Sequence, residues 1–454
     1  MPLRSAPCLL LILMLVATAW PQVVEEEYRV YTEHPRLFLN TKRLRLLKRE
    51  RERSSLRWQQ FDALMSGGAR MPEPGFAHAL YSQVTGDPAH CRIAIDWALG
   101  PAADLRQAAL VFDWCESRLT GDESARLGAR IRTWIGKAAT MHEVAPTRDR
   151  ALAAIALADH DFPASEQYLR GIIRKWWRGE MAPALQSGKK NLNSEDVYPL
   201  LEILHAVQDN LKIDLRENAP GFFRDLPINR LLSYYPASYP APENEYRIPA
   251  WTGDGEPDLD VAALSRAADL AMTAYDANMR EHQFLQGWLI HDRFLLRSAF
   301  GTPYEFLWAN PYQPGLSYYH MPLAQHDTRR GLLFLRSSWD DDAVWLGAFD
   351  GEIQLFENGQ RKVVKAGPGA KPVRIGDVVA VFASGASRFN INDPEAKAVF
   401  IVGLKPGKAY EIEVDDEEMR EISADAGGVL AIDIFPRPRL GLRLRPAPDA
   451  RPSS

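Results

Sequence analysis

The sequence predicts an α+β protein in two unlike parts: an incomplete α/α toroid of antiparallel helix hairpins, followed by an antiparallel β-sheet or sandwich domain. Three observations predict it. Apolar residues recur with a helical period from Asn40 to about Phe300. Short polar turns such as Gly86-Asp87-Pro88, Gly121-Asp122 and His160-Asp161-Phe162-Pro163 divide that stretch into hairpins. Near Gly331 the period changes to two, in short runs rich in β-branched and aromatic residues. The expected boundaries are a leader at 1–19, a helical domain at 28–327, a β-domain at 328–447 and a polar, Pro-rich tail at 448–454.

Each element has its own signal. The run 103–119 places Leu105, Ala108, Phe112, Cys115 and Leu119 on one helix face. Thr120-Gly121-Asp122-Glu123 has the spacing of a capping box and opens a helix carrying Leu127, Ile131 and Trp134. Pro146 opens a helix at 148–159, whose run 151–158 has almost no polar side and must be covered all round. Residues 233–257 interrupt the helices with prolines and with Tyr234, Tyr235, Tyr239, Tyr246 and Trp251, an aromatic content that argues against disorder. A second aromatic loop carries Trp308, Tyr312, Tyr318, Tyr319 and His320. Strands are expected at 332–339, 343–349, 378–383, 398–402, 409–414 and 429–435. Tyr410, Ile412 and Val414 alternate with Glu411, Glu413 and Asp415, the pattern of a sheet with one wet face.

The N-terminus reads as an export signal. Arg4 precedes the apolar run 9–16, and Ala17-Thr18-Ala19 is an A-x-A cleavage site. The run is too short to span a bilayer, so a periplasmic or secreted location without a membrane span is expected. The 54 basic and 59 acidic residues leave a net charge of −5, which argues against nucleic acid as the partner. Cys91 and Cys115 fall at similar height on consecutive antiparallel helices, so a bridge is open to them. Two buried free thiols are the preferred reading. The cysteine pattern is neither a disulfide scaffold nor a zinc cluster, and no P-loop, dinucleotide fingerprint, G-x-S-x-G or H-E-x-x-H occurs; no cofactor or metal is expected.

Candidate chemistry concentrates in 187–212. Asn193 can cap a helix with an apolar stripe, beside which Glu195, Tyr198, Glu202, His205 and Asp209 recur at spacings of 3 and 4. Such a stripe is either a solvated helix face or a proton-transfer face. Trp176-Trp177 offers either core anchors or a stacking surface for sugars. His142 and Arg148 flank the loop before the Ala-rich helix, and Asp340-Asp341-Asp342 reads as a hairpin turn.

His34-Pro35-Arg36-Leu37-Phe38-Leu39, then Ala109-Leu110-Val111-Phe112-Asp113-Trp114, then Gly331-Leu332-Leu333-Phe334-Leu335-Arg336-Ser337-Ser338-Trp339 resemble, in order, segments of heparinase II/III-like and alginate-lyase-like proteins. The resemblance implies a toroid plus β-domain and β-elimination of a uronate-containing polysaccharide or oligosaccharide. That reaction needs a carboxylate neutraliser, a base for the C5 proton and an acid for the leaving oxygen. By the same resemblance, Tyr198 falls where the family has its catalytic tyrosine. Arg148 would neutralise the carboxylate, and His142 or His205 would act as base. Asn191, Asn193, Glu195, Trp176, Tyr246, Trp251, Tyr318 and His320 are the expected substrate contacts. The chain departs from the family at Thr147-Arg148-Asp149, where an Asn-His pair is expected, and after Phe349, where a histidine is expected. Two alternatives stand beside the lyase: a glycan-binding protein that has lost the chemistry, and a hydrolase pairing Glu195 with Glu202 or Asp209.

Overall fold

A computed structural model describes residues 26–138, 141–240, 245–292, 298–367, 369–416 and 418–448. The expected leader lies outside the described residues, as does nearly all of the expected tail. The helical body runs through α1 (Thr41–Glu52), α2 (Leu56–Ser66), α3 (Pro74–Thr85), α4 (Pro88–Leu99), α5 (Leu105–Trp114), α6 (Gly121–Lys137) and α7 (Val144–Ala156). It continues with α8 (Phe162–Arg170), a π-helical segment Gly171–Met181, α9 (Ala182–Ser187), α10 (Ser194–Leu211) and α11 (Pro220–Ser233). A two-stranded ribbon, β1 (Tyr239–Pro240) and β2 (Glu245–Tyr246), precedes α12 (Leu259–Tyr275), α13 (Arg280–His291) and α14 (Gly301–Trp308). Among the described residues no helix is long and apolar enough to cross a membrane.

The packing order explains the burial. α3, α5, α7, α10, α12 and α14 each pack on the next, and α14 returns to α2 and α3. These inner helices are covered on all sides. Every residue of α5 is buried, as are Ala151 to Ala156 in α7. Local signals behave as read: Thr120 and Glu123 form the reciprocal capping box, and Asp104 caps α5 through the Gln107 amide at 2.8 Å. The Ala-rich helix begins at Val144 rather than Arg148, with Pro146 inside its first turn.

One expectation is corrected. Cys91 in α4 and Cys115 at the end of α5 are joined by a disulfide, with Cα atoms 5.7 Å apart, and are not free thiols. The hairpin turn at Gly100-Pro101 brings the two helices antiparallel and sets the cysteines at one height, which satisfies the geometric requirement for a bridge.

The β part opens with a five-stranded antiparallel sheet in sequential order: β3 (Ala324–Asp327), β4 (Leu332–Arg336), β5 (Trp345–Phe349), β6 (Glu352–Glu357) and β7 (Gln360–Val363). The remaining strands are β8 (Val373–Ile375), β9 (Val378–Phe382), β10 (Ser387–Ile391), β11 (Ala398–Val402), β12 (Ala409–Val414), β13 (Glu418–Ser423), β14 (Val429–Asp433) and β15 (Leu440–Pro446). They form two four-stranded sheets, ordered β14-β11-β9-β8 and β10-β15-β12-β13. The two-part α+β architecture is as the sequence predicts, with one difference: β9 and β11 pair in parallel. Both strands are nearly continuous apolar runs, Val-Val-Ala-Val-Phe and Ala-Val-Phe-Ile-Val, the composition of strands buried on both faces. β12 alternates as read, with Tyr410, Ile412 and Val414 buried between partly exposed glutamates.

The first sheet packs on the helical body. Trp345 in β5 is fully buried and donates through Nε1 to the Leu232 carbonyl of α11 at 2.7 Å. Tyr235 stacks on Phe356, meets Trp345 edge-on, and donates to Gln354 Oε1 at 2.6 Å. Tyr235 and Trp251 of the 233–257 segment thus join the two parts, while Tyr234 bonds within the helical body to Asp269.

Candidate functional site

Over its middle, from Tyr198 to His205, the polar stripe of α10 is neither a solvated face nor a cleft wall, while Asp209 at its end borders the open groove beside α1. Tyr198, Glu202 and His205 are buried, while Glu195 is exposed at the first turn. The reason is the ring of inner helices: α10 packs on both α7 and α12, so its polar side meets other helices. The Glu202 carboxylate receives Arg106 Nη2 at 2.7 Å and Nε at 3.1 Å, and Arg148 Nη1 at 2.5 Å. Burial alone would raise the Glu202 carboxyl, but the two guanidiniums outweigh it and hold it below its ordinary value. Tyr198 accepts from Trp308 Nε1 at 2.9 Å and meets Tyr304 edge-on. Burial, reinforced by Glu202, pushes its phenol well above the usual range. His205 contacts the Ala271 carbonyl at 2.8 Å and lies against Trp308, and burial, with Arg43 nearby, pushes it well below the usual imidazole range.

These placements correct the expected site. Tyr198 has no exposed surface, so a sugar has no access to its phenol without parting α10 from α14. Arg148 is held by Glu202 and Asp149 and does not stand free for a substrate carboxylate. His142 is exposed and lies 3.4 Å from Glu180, away from His205. Trp176 is a core residue whose Nε1 donates to the His142 carbonyl at 2.7 Å, and Trp177 is fully buried. Trp251 meets Tyr235 edge-on and lies against the Arg361 guanidinium, and His320 is exposed on a turn. The side chain of Tyr246 lies outside the described residues. We expect Tyr198→Phe to cost about 1 kcal/mol of stability through the lost Trp308 hydrogen bond and to leave any ligand affinity unchanged. Denaturant unfolding and a ligand titration read the two quantities separately.

Three other expected contacts do border cavities. Asn191 and Asn193 border one of about 120 Å³ at the junction of α10, α11 and the first sheet. Tyr318 borders another, described below. The junction cavity owes its shape to backbone approach. Gly188, after α9, has φ +76°, and a Cβ there would lie 2.6 Å from the Arg329 carbonyl oxygen. Only glycine permits the 188–194 segment to close on the β3–β4 turn. Asn191 Nδ2 then reaches the Arg330 carbonyl at 3.4 Å. Arg330 Nε pairs with Asp327 at 2.7 Å, and its guanidinium covers the Phe222 ring. Phe334 and Phe349 form an apolar wall, their rings 5.8 Å apart.

On the α11 side the cavity meets Asn229, which the sequence reading did not single out. Asn229 is 6% exposed, and neither its Oδ1 nor its Nδ2 has a hydrogen-bond partner. Asn191 Oδ1 is also buried without one. Arg230, next to Asn229 in α11, shows the contrast: that guanidinium is tied to Asp269, Tyr234 and Ser265, with Nε to Asp269 at 2.9 Å. The composition of α11 gave no signal for Asn229, because the same helix carries Arg224, Asp225, Arg230 and Ser233.

A larger cavity lies elsewhere. It is an open groove of about 1040 Å³ beside α1, lined by six basic and three acidic residues. Its Lys42, Arg45, Lys48 and Arg49 are exposed to water and need no ligand to be satisfied.

No family model and no curated protein matches the chain. Among solved structures, a glycoside hydrolase is 11% identical, over 89% of this chain and 75% of that one, with a TM-score of 0.30. A GH127 β-arabinofuranosidase is 8% identical, over 92% and 79%, with a TM-score of 0.21. Superpositions this loose assign neither a family nor a chemistry to the chain.

Proposed function

We propose that the protein binds a saccharide in the junction cavity, with Asn229 and Asn191 hydrogen-bonding ring hydroxyls. One observation carries the reading: the Asn229 amide is buried at the cavity with both of its polar atoms unpaired. Each such group costs about 1–3 kcal/mol when left unsatisfied, so a ligand that pairs with it recovers that amount. An amide presents a donor and an acceptor side by side, which suits neighbouring hydroxyls of a sugar ring. The Phe334 and Phe349 wall suits the apolar face of the same ring. The cavity has room for one ring-sized polar molecule or a few ordered waters.

Binding is favoured over cleavage by what the walls carry. Amides, hydroxyls and guanidiniums dominate, with Asp350 as the carboxylate. Hydrolysis calls for two carboxylates across the scissile bond, and elimination for a Tyr or His beside the sugar. The reading also agrees with the export signal expected from the sequence, since glycans are met outside the cytoplasm.

Titration of the purified chain against a panel of neutral and acidic oligosaccharides tests it. At least one is expected to bind, and Asn229→Leu is expected to weaken that binding at least tenfold, the equivalent of about 1.4 kcal/mol. A variant that binds as tightly as the parent would contradict the proposal. Release of unsaturated uronate during the titration would return the elimination reading, and release of new reducing ends the hydrolytic one.

A further inference from the structure

Arg336 ends β4 and is 5% exposed. Its Nε donates to the Ser338 carbonyl at 3.1 Å and its guanidinium lies over the Trp339 ring at 4.7 Å. Among the described residues it has no carboxylate partner, and its two Nη nitrogens make no hydrogen bond. Buried cations elsewhere in the chain are arranged differently. Arg106 and Arg230 are each tied to a carboxylate. Arg43, half-buried and with no ion pair among the described residues, is stacked on Trp308 at 4.1 Å. Burial, with the like charge of Arg247 beside it, holds Arg336 down to about 10.

Arg336 borders a cavity of about 190 Å³ between the helical body and the first sheet. Tyr318 and Tyr319 form one wall, stacked at 4.7 Å, and Tyr319 is 52% exposed. His291 meets Tyr318 edge-on at 5.6 Å. The remaining charges are accounted for. Arg247 pairs with Asp292 and with Asp341, each at 3.1 Å, and Asp292 also receives Arg266 at 2.5 Å. Asp340 and Asp341 stand exposed at the rim.

We propose that Arg336 anchors a second ligand site, distinct from the junction cavity, that takes a carboxylate carried on a ring. The two free Nη groups of a planar guanidinium match the two oxygens of a carboxylate. The rim aspartates oppose a dianion more strongly than a monoanion, which favours carboxylate over phosphate. The Tyr319 face gives a ring something to stack on. A sugar acid and an aromatic acid share this chemistry, and the experiment separates them.

Benzoate, glucuronate, acetate, inorganic phosphate, benzamide and glucuronamide are titrated into the full chain. The expected result is that at least one ring acid binds, that its amide does not, and that acetate and phosphate bind at least tenfold more weakly. Which ring acid binds tighter names the source. Arg336→Met should weaken the ring acid at least tenfold and leave the melting temperature unchanged or raised, because an uncompensated buried cation is gone. Tyr319→Ala, at an exposed position, should weaken the ring acid and leave acetate unaffected. Asn229→Leu should leave this site intact. The proposal is overturned if neither ring acid binds, if amide and acid bind alike, if phosphate binds as well, or if both Arg336→Met and Tyr319→Ala bind like the parent.

Discussion

Glu202→Gln is expected to destabilise the protein by about 3 kcal/mol, the low end of the range for removing one partner from a buried ion pair. Glu202 is fully buried, and its carboxylate is the shared acceptor of Arg106 and Arg148. A glutamine preserves the shape but leaves two buried guanidiniums short of one negative charge. Arg106 retains Glu73 and Arg148 retains Asp149, which keeps the loss from being larger. The same group makes stability depend on pH. Burial raises the Glu202 carboxyl, the arginines lower it further than burial raises it, and the net folded value lies below 4.5. A depressed carboxyl contributes stability that is fully present above its unfolded value and is lost as pH falls through the folded value. The unfolding free energy of the parent should therefore exceed that of Glu202→Gln by a constant amount at neutral pH, and the gap should close as the pH drops below 4.5. A gap that stays open in acid would mean that Glu202 is not ionised in the folded protein.

Removing the Cys91–Cys115 bridge has an expected cost of about 3 kcal/mol, from the loop entropy that a cross-link across a separation of 24 residues takes from the unfolded chain. The double variant Cys91→Ala/Cys115→Ala should unfold at lower denaturant than the parent. Reductant should move the parent to the position of the variant and leave the variant where it is. A parent indifferent to reductant would show that the bridge does not form in solution.

These two effects sit where the sequence was partly legible. The helical period and the turn at Gly100-Pro101 were enough to set Cys91 and Cys115 at one height. The choice between a bridge and two thiols depended on a side-chain separation that no periodicity encodes. The capping box at Thr120, the alternation in β12 and the change of period near Gly331 were legible because each is a local property of consecutive residues. The fate of the α10 stripe was not. Its spacing correctly put Tyr198, Glu202 and His205 on one side of a helix, but whether that side meets water, a cleft or two other helices is decided by α7 and α12. The family resemblance drew attention to the same stripe, and the packing buries it.

The candidate sites were legible only in part. Asn191 and Asn193 were picked out from their loop, and Tyr318 from its aromatic neighbours, and each borders a cavity. Asn229 and Arg336 were missed for a shared physical reason. What marks them is a missing partner, and a missing partner is a statement about every element packed around a residue. In sequence, Asn229 is one of several polar residues in α11 and Arg336 one cation at the end of an apolar strand.

The most direct test of the central claim compares stability and affinity in the same pair of proteins. Unfolding free energies of the parent and of Asn229→Leu are measured without ligand and with a saturating saccharide from the binding panel. Without ligand, the variant should be as stable as the parent or more so, because the unpaired buried amide is gone. With ligand, the parent should gain stability and the variant should gain at least about 1.4 kcal/mol less, the equivalent of the tenfold loss in affinity. A variant that loses stability without ligand yet gains as much from the saccharide as the parent would contradict the claim that Asn229 is held unpaired to meet a sugar.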